Sequence, residues 1–174
     1  NLILTVTLGL VLAFEPPEPG VMARPPRPAR GALLSPFLVW RIFLVSGLFA
    51  GRALLVFFTT LGRGGSLELA RTMVVNVIVV MEIFYLFNVR YLHMTSITWR
   101  GALGTPAVLD ALLAVVVAQL AFTYLPWMQD VFDSRPVGLV DGIIVLAVGV
   151  MLMVILEVEK AILRRMGLFG MTTA

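Results

Sequence analysis

Long apolar runs separated by short polar segments dominate the chain. Four of these runs are long enough to cross the hydrocarbon core of a bilayer, which is about 30 Å thick, at about 1.5 Å per residue. They cover residues 36 to about 60, 70–92, 106–125 and 137–163. Because the connections between them are short, neighbouring helices are expected to run antiparallel. The pattern predicts an all-α polytopic membrane helix bundle with about four full transmembrane helices.

A shorter apolar run precedes these four. Residues 2–14 form a mostly apolar run of about 13 residues, whereas a full span needs about 20. The run lacks the basic segment of a signal peptide, and the first residue is Asn1 rather than Met. We therefore expect residues 1–14 to be a partial transmembrane helix, and the chain to begin inside a helix of a longer protein.

Residues 15–35 read EPPEPGVMARPPRPARGALLS and hold most of the ten prolines. Proline removes a backbone donor and interrupts helices, so this segment is predicted to be a loop. The expected organisation is a partial helix at 1–14, a Pro-rich loop at 15–35 and a four-helix transmembrane region at 36–174.

Basic residues are distributed unevenly between the two ends of the predicted helices. One end has Arg24, Arg27, Arg30, Arg41, Arg90, Arg100, Lys160, Arg164 and Arg165. The other end has Arg63, Arg71 and Arg135, together with Glu68, Asp130 and Asp133. Since short cytoplasmic loops accumulate Lys and Arg, we expect the Pro-rich loop and the C-terminus to be cytoplasmic in a multi-pass protein of the cell membrane. Interfacial indole rings support the same helix ends, at Trp40, Trp99 and Trp127.

Composition agrees with a lipid-facing protein. Hydrophobic residues make up 60% of the chain and charged residues 13%, outside the usual range of soluble domains. The net charge of +3 comes from arginines placed between apolar runs. We therefore attribute the positive charge to membrane topology and not to a nucleic-acid partner. With no cysteine and only His93, the chain has no thiolate site and no histidine cluster.

Catalytic motifs are not evident. The chain shows no phosphate-binding glycine sequence, no acid/base pair with a pocket and no Ser/His/Asp set. No activity is expected from this chain alone.

Polar residues inside apolar helices are the candidates for function, because an ionisable group in hydrocarbon usually has a partner or lines a pathway. Glu82 lies more than two turns from either end of its helix. It is interpreted as a group for cation coordination or proton transfer, with a structural hydrogen bond or helix–helix contact as the alternative. Arg52 is comparably deep and is expected to pair with Glu82 or another buried acceptor.

Other polar residues have simpler interpretations. Four carboxylates near helix ends are expected to be solvated at the interface: Asp110, Asp141, Glu157 and Glu159. Two neutral residues are expected to form interhelical hydrogen bonds: Asn76 and Gln119.

Three segments resemble one family. NLILTVTLGLVLAFEPPEPGVMARPPRP is similar to the sixth membrane helix and following cytoplasmic loop of the P-type cation-transporting ATPases of the calcium-pump and sodium-pump branch. VMEIFYLFNVR resembles the eighth helix of that family, and ILEVEKAILRR resembles the end of the tenth. The resemblance covers essentially the whole chain, and its most specific part is EPPEPxxMxRPPR.

The resemblance implies a C-terminal piece of the transport domain of a cation pump, which supplies scaffold and part of the cation site. In the family, ATP and Mg²⁺ are bound by upstream domains that carry the phosphorylated DKTG aspartate, so no cofactor is expected in this chain. The implied partners are the lipid bilayer, those upstream domains and the transported cation.

The same resemblance implies cation-site residues. Asn1 matches the coordinating asparagine of the sixth helix, and Glu82 matches the acidic ligand of the eighth. Where the family commonly has Thr-Asp, this chain has Leu4 and Thr5, so a hydroxyl replaces the central carboxylate. Because divalent ions rely on charged oxygen ligands, a monovalent cation, a proton or another substrate stays open beside calcium. The predicted metal residues are Asn1, Thr5 and Glu82.

A different class of function is the alternative. A stand-alone membrane scaffold or accessory protein would retain the fold without pumping, and a start codon just before Asn1 would favour it. A small channel or secondary carrier is disfavoured, because no internal repeat is evident.

Overall fold

A computed structural model describes residues 2–14, 34–89 and 105–167. Helix α1 is Leu2–Val11, continued by a 3-10 turn at Leu12–Phe14. The later helices are α2 Pro36–Gly62, α3 Leu67–Val89, α4 Pro106–Tyr124, α5 Pro126–Phe132 and α6 Leu139–Arg165. Of these, α2, α3, α4 and α6 are long and apolar enough to cross a membrane. The predicted all-α polytopic bundle with four full spans is confirmed.

The helices begin at side chains suited to a first turn, where backbone N–H groups lack partners within the helix. Ser35 precedes α2, and its hydroxyl accepts a hydrogen bond from the backbone N–H of Leu38 at 3.2 Å. Ser66 does the same for α3 through Leu69, also at 3.2 Å. Proline is the first residue of α2, α4 and α5, the position at which its missing N–H costs nothing.

Helix α3 is the centre of the bundle. In its most apolar stretch 39% of the residues are buried, against 6% in α2. One side of α3 packs with α2 and α6, in a cluster that contains Met73, Val77 and Met81. The other side packs with α1 and α4, through Val79 and Leu86. Helix α3 therefore takes part in the most extensive helix–helix contacts, those with α2 and with α6.

The connection between α4 and α6 differs from the sequence-based expectation. We predicted helices at 106–125 and 137–163 with a loop between them, whereas a short helix, α5, occupies Pro126–Phe132. Pro126 can begin a helix but cannot donate the hydrogen bond needed to continue α4. Asp133 ends α5 in the left-handed conformation, at φ 50°.

This connection is fastened to the helices by side-chain hydrogen bonds. The Ser134 hydroxyl donates to the carbonyl of Phe122 at 2.9 Å, and the Tyr124 hydroxyl donates to the carbonyl of Val137 at 3.0 Å. The backbone N–H of Arg135 donates to the hydroxyl of Thr72 in α3 at 3.0 Å. The start of α3 and the α4–α6 connection therefore share one end of the bundle.

Candidate functional site

Glu82 lies in the middle of α3 and lines a groove of about 370 Å³ between α1, α2 and α3. The side chain is half-buried. The groove is formed by Leu8, Gly9 and Leu12 of the first segment, Val45, Ser46 and Phe49 of α2, and Tyr85, Leu86 and Val89 of α3. Glu82 thus faces α1 and α2 across a shared space.

The groove places a carboxylate, that of Glu82, among mostly apolar side chains. Its lining is mostly apolar, and Glu82 is the one acidic residue among the described lining residues. An ionised carboxylate in such surroundings is costly unless a positive charge or a proton accompanies it. The hydroxyl-bearing residues Ser46 and Tyr85 belong to the same lining and offer further oxygen atoms.

The other two predicted cation-site residues cannot be located as side chains. Asn1 and the side chain of Thr5 lie outside the described part of the structure, so their grouping with Glu82 stays a prediction. Across residues 2–14, 34–89 and 105–167, no three acidic or histidine side chains cluster closely enough to hold a metal ion. Within that part of the chain, Glu82 is the sole acidic contribution to the groove.

Arg52 does not pair with Glu82. No described carboxylate lies in ion-pair contact with Arg52. The residues of α2 that face Glu82 are Val45, Ser46 and Phe49, and Arg52 lies about one turn beyond the last of them. The expected pair of Arg52 with Glu82 is therefore wrong for the described residues.

Arg41 of α2 instead makes the charged contacts between the helices. Its guanidinium is only 2% exposed, and it donates to the Glu159 carboxylate of α6 and to Oδ1 of Asn88 in α3. A guanidinium presents several donors in one plane, so a single side chain can join two acceptors on different helices. Arg41 thereby links α2 to both of its neighbours.

Asn88 is fully buried and contacts both neighbouring helices. Its Nδ2 donates to Oε1 of Glu157 in α6 at 2.8 Å, while its backbone carbonyl accepts from Nζ of Lys160 at 2.9 Å. Lys160 also donates to Oε1 of Glu157 at 3.1 Å. We call Arg41, Asn88, Glu157, Glu159 and Lys160 the Asn88 network.

Among the described residues, the Asn88 network combines two basic side chains with two acidic ones. Such balance is needed because breaking a buried ion pair leaves an uncompensated charge in a medium of low dielectric constant. Trp40 covers one edge, with its indole N–H donating to Glu159 Oε1 at 3.1 Å. The network joins the start of α2, the end of α3 and the end of α6, which therefore lie at the same end of the bundle.

The network corrects the sequence-based interpretation of two carboxylates. Glu157 and Glu159 were expected to be solvated at the interface, but their side chains are only 11% and 12% exposed. Distance from a helix end was the basis of that expectation, and it does not show which neighbour the helix packs against. The spacing of Glu157 and Lys160, three residues apart, was the available signal for an ion pair on one helix face.

Asn76 confirms the expected role of an interhelical hydrogen bonder. Its side-chain amide lies 3.2 Å from the hydroxyl of Thr123 and thus connects α3 to α4. Its Nδ2 also donates to the carbonyl of Thr72 one turn earlier, at 2.9 Å. Gln119 lines a second groove, between α3, α4 and α6, together with Asn76.

Sequence comparison identifies the family to which this arrangement belongs. Residues 1–162 match the family described as "Cation transporting ATPase, C-terminus". The chain belongs to the cation-transporting ATPase C-terminal family. The resemblance noted from EPPEPxxMxRPPR and VMEIFYLFNVR is therefore confirmed at the level of the family.

Relatives of this C-terminal ATPase region are similar over most of the chain. It is 38% identical over 165 residues to "Probable cation-transporting ATPase F" of Mycobacterium tuberculosis, covering 94% of the chain and 18% of that protein. It is 32% identical over 142 residues to "Cation-transporting ATPase pma1" of Synechocystis, covering 78% of the chain and 16% of that protein. "Calcium-transporting ATPase 1" of Yarrowia lipolytica is 26% identical over 153 residues, covering 88% of the chain and 16% of that protein. The chain thus spans less than a fifth of the length of these curated relatives.

Proposed function

We propose that this chain is the C-terminal part of the membrane transport domain of an ATP-driven cation pump. Membership of the cation-transporting ATPase C-terminal family supports this assignment. In the proposed pump, other domains bind ATP and Mg²⁺, and α2–α6 form a scaffold around the cation path. The proposal includes a cytoplasmic C-terminus in the cell membrane, supported by the excess of arginines at that end.

Within this function we propose Glu82 as a ligand of the transported cation or as a proton carrier. The observation that supports this role is the position of Glu82 in a mostly apolar groove between α1, α2 and α3. Asn1 and Thr5 of the first segment are proposed to supply further oxygen ligands from the α1 side. A switch between two arrangements of α1 against α3 would then change the access of the cation to Glu82.

The chemistry of the proposed site narrows the choice of the transported cation. Calcium prefers six to eight oxygen ligands, several of them charged. The sequence has Leu4 and Thr5 where a carboxylate is common in the family, so this chain would supply one acidic ligand fewer. A site with one carboxylate fewer suits a monovalent ion or a proton better than a divalent ion, and titrations of a Glu82 variant compare both classes.

The test is the variant Glu82→Gln in the full-length pump, which preserves side-chain volume and removes the ionisable group. ATP hydrolysis and ion uptake by membrane vesicles are titrated with Ca²⁺, Mn²⁺, Na⁺ and K⁺ in turn, and then with pH. We expect the half-activating concentration of the active cation to rise about tenfold or more, since affinity depends on ligand charge. If a proton is carried, the pH dependence should flatten instead.

Glu68→Gln is the matched control, because it makes the same exchange at the start of α3, fourteen positions earlier. It should leave both dependences unchanged. Normal accumulation of both variants, with cation and pH dependence unaffected by Glu82→Gln, would exclude the proposed role of Glu82 and leave it a structural hydrogen bond or helix–helix contact.

A further inference from the structure

Two asparagines flank Glu82 on α3 at equal distances. Asn76 lies six positions before Glu82 and Asn88 six positions after it, each about 9 Å away along the helix axis. Both side chains form hydrogen bonds to other helices. They differ in their partners, since Asn76 contacts a neutral hydroxyl of α4, whereas Asn88 contacts charged side chains of α2 and α6.

Asn88 is the junction of the charged network. Its side-chain oxygen accepts from Arg41, its side-chain nitrogen donates to Glu157, and its backbone carbonyl accepts from Lys160. Hydrogen bonds to charged groups are stronger than neutral ones, and breaking them in a buried site leaves charges without compensation. Because the partners come from two helices, α3 cannot rotate or slide without disturbing contacts on both sides.

The network also borders the groove that contains Glu82. Arg41 precedes the groove residue Val45 by about one helical turn, and Asn88 is adjacent in sequence to the groove residue Val89. Successive residues are about 100° apart around a helix, so even a modest rotation of α3 would turn Glu82 away from α1. Contacts that oppose this rotation are therefore located at one end of the groove itself.

We propose that Asn88 is a positioning residue for Glu82. Held between Arg41 of α2 and Glu157 of α6, it fixes the rotation and height of α3, so that the Glu82 carboxylate faces α1. This inference rests on the proposed function of Glu82, and it adds a residue that does not itself touch the cation.

The experiment compares Asn88→Ala with Asn76→Ala in the full-length pump in membrane vesicles. Both remove an asparagine amide from α3 at the same distance from Glu82. The half-activating concentration is measured separately for Ca²⁺, Mn²⁺, Na⁺ and K⁺, together with the maximal rate of ATP hydrolysis. For the cation that activates the pump, Asn88→Ala should raise the half-activating concentration roughly 3- to 30-fold. The maximal rate should change less than about twofold, and Asn76→Ala should change neither quantity by more than about twofold.

A second pair of variants, which moves a carboxylate from position 157 to position 88, tests the positioning role even when Asn88→Ala fails to accumulate. Asn88→Asp keeps the acceptor for Arg41 but places a second carboxylate against Glu157. In the double variant with Glu157→Gln, the amide at position 157 donates to the carboxylate at position 88. The hydrogen bond is thus restored with its donor on α6, and the network has the same net charge as in the parent. We expect Asn88→Asp to raise the half-activating concentration, and the double variant to return it to within about threefold of the parent.

The outcomes separate the two proposals. Suppose that Glu82→Gln alters the cation dependence, whereas Asn88→Ala and Asn76→Ala show the same cation dependence as each other. This outcome would overturn only the positioning role of Asn88. Failure of Glu157→Gln to restore cation dependence to Asn88→Asp would do the same. A cation dependence unaffected by Glu82→Gln overturns the proposed function, and the positioning role with it.

Discussion

Gly149 of α6 lies directly against the ring of Phe84 in α3. A Cβ added at Gly149 would lie 2.5 Å from Cδ2 of Phe84 and 2.6 Å from Cγ1 of Val80. Small residues at such positions let two transmembrane backbones approach closely and gain packing contacts that lipid cannot replace. Gly149 therefore sets the separation of α3 and α6 at the middle of their contact.

The variant Gly149→Ala should destabilise the bundle by about 1–3 kcal/mol, because overpacking forces Phe84 or the helix backbone to move. The free energy of unfolding is measured by titrating the purified chain in detergent micelles with sodium dodecyl sulfate and following circular dichroism. Gly142→Ala is the control on the same helix, since nothing lies within 4 Å of a Cβ there. Similar losses in both variants would contradict the close-approach argument.

Arg41→Ala should cost about 3–5 kcal/mol, the usual penalty for removing one partner of a buried ion pair. Arg63→Ala removes a basic partner at the other end of the bundle, where Arg63 is 60% exposed and lies 3.8 Å from Asp141. That loss should stay below about 1 kcal/mol, because water screens exposed pairs. The same detergent titration compares the two variants. Equal losses in the free energy of unfolding would show that the ion pair of Arg41 stabilises the bundle no more than an exposed pair does.

Single cysteines introduced at Gly31 and Gly64 should react with a membrane-impermeant thiol reagent from opposite sides of the membrane. Gly64 lies in the α2–α3 turn, at φ 82°, and Gly31 lies outside the described residues, before α2. The native chain has no cysteine, so each label reports one site. Labelling in sealed vesicles of known orientation makes the measurement. Both sites reacting from the same side would show that α2 does not span the membrane.

The purified chain is expected neither to hydrolyse ATP nor to bind nucleotide, because the sequence offers no phosphate-binding element. Phosphate release and the fluorescence of a labelled ATP analogue are measured in detergent, with the full-length pump as the positive control. Specific hydrolysis by the chain itself would contradict its assignment to the transport domain.

Hydropathy predicted the membrane helices well because the bilayer leaves the backbone few alternatives. Polar backbone groups in hydrocarbon must be bonded within the helix, so a long apolar run such as the one in α6 is decisive by itself. Helix boundaries were less certain where α4 and α5 meet at Pro126, since a proline permits both a loop and a new helix.

Side-chain partners were predicted less well, because they depend on how helices pack. Glu82 stood out by its depth alone. The structure places it beside a groove, and its role stays a prediction. Glu159 gave no comparable signal, since its partner Arg41 lies 118 residues earlier in the chain. Arg52 and Arg41 lie on the same face of α2, and only the packing of the helices shows that Arg41 is the one that contacts Glu159.

The long separation of Arg41 from Glu159 has a consequence for the synthesis of the protein. A ribosome that adds about 5–20 residues per second makes the 118 residues that follow Arg41, up to and including Glu159, in roughly 6–24 s. Throughout this interval the Glu159 carboxylate, the partner of Arg41, has not yet been made. Arg41 lies within two turns of the start of α2, so its guanidinium can reach interfacial water until Glu159 has been made. A central position in the bilayer would deny it that solvent, so the order of translation favours placing this ion pair at the helix ends.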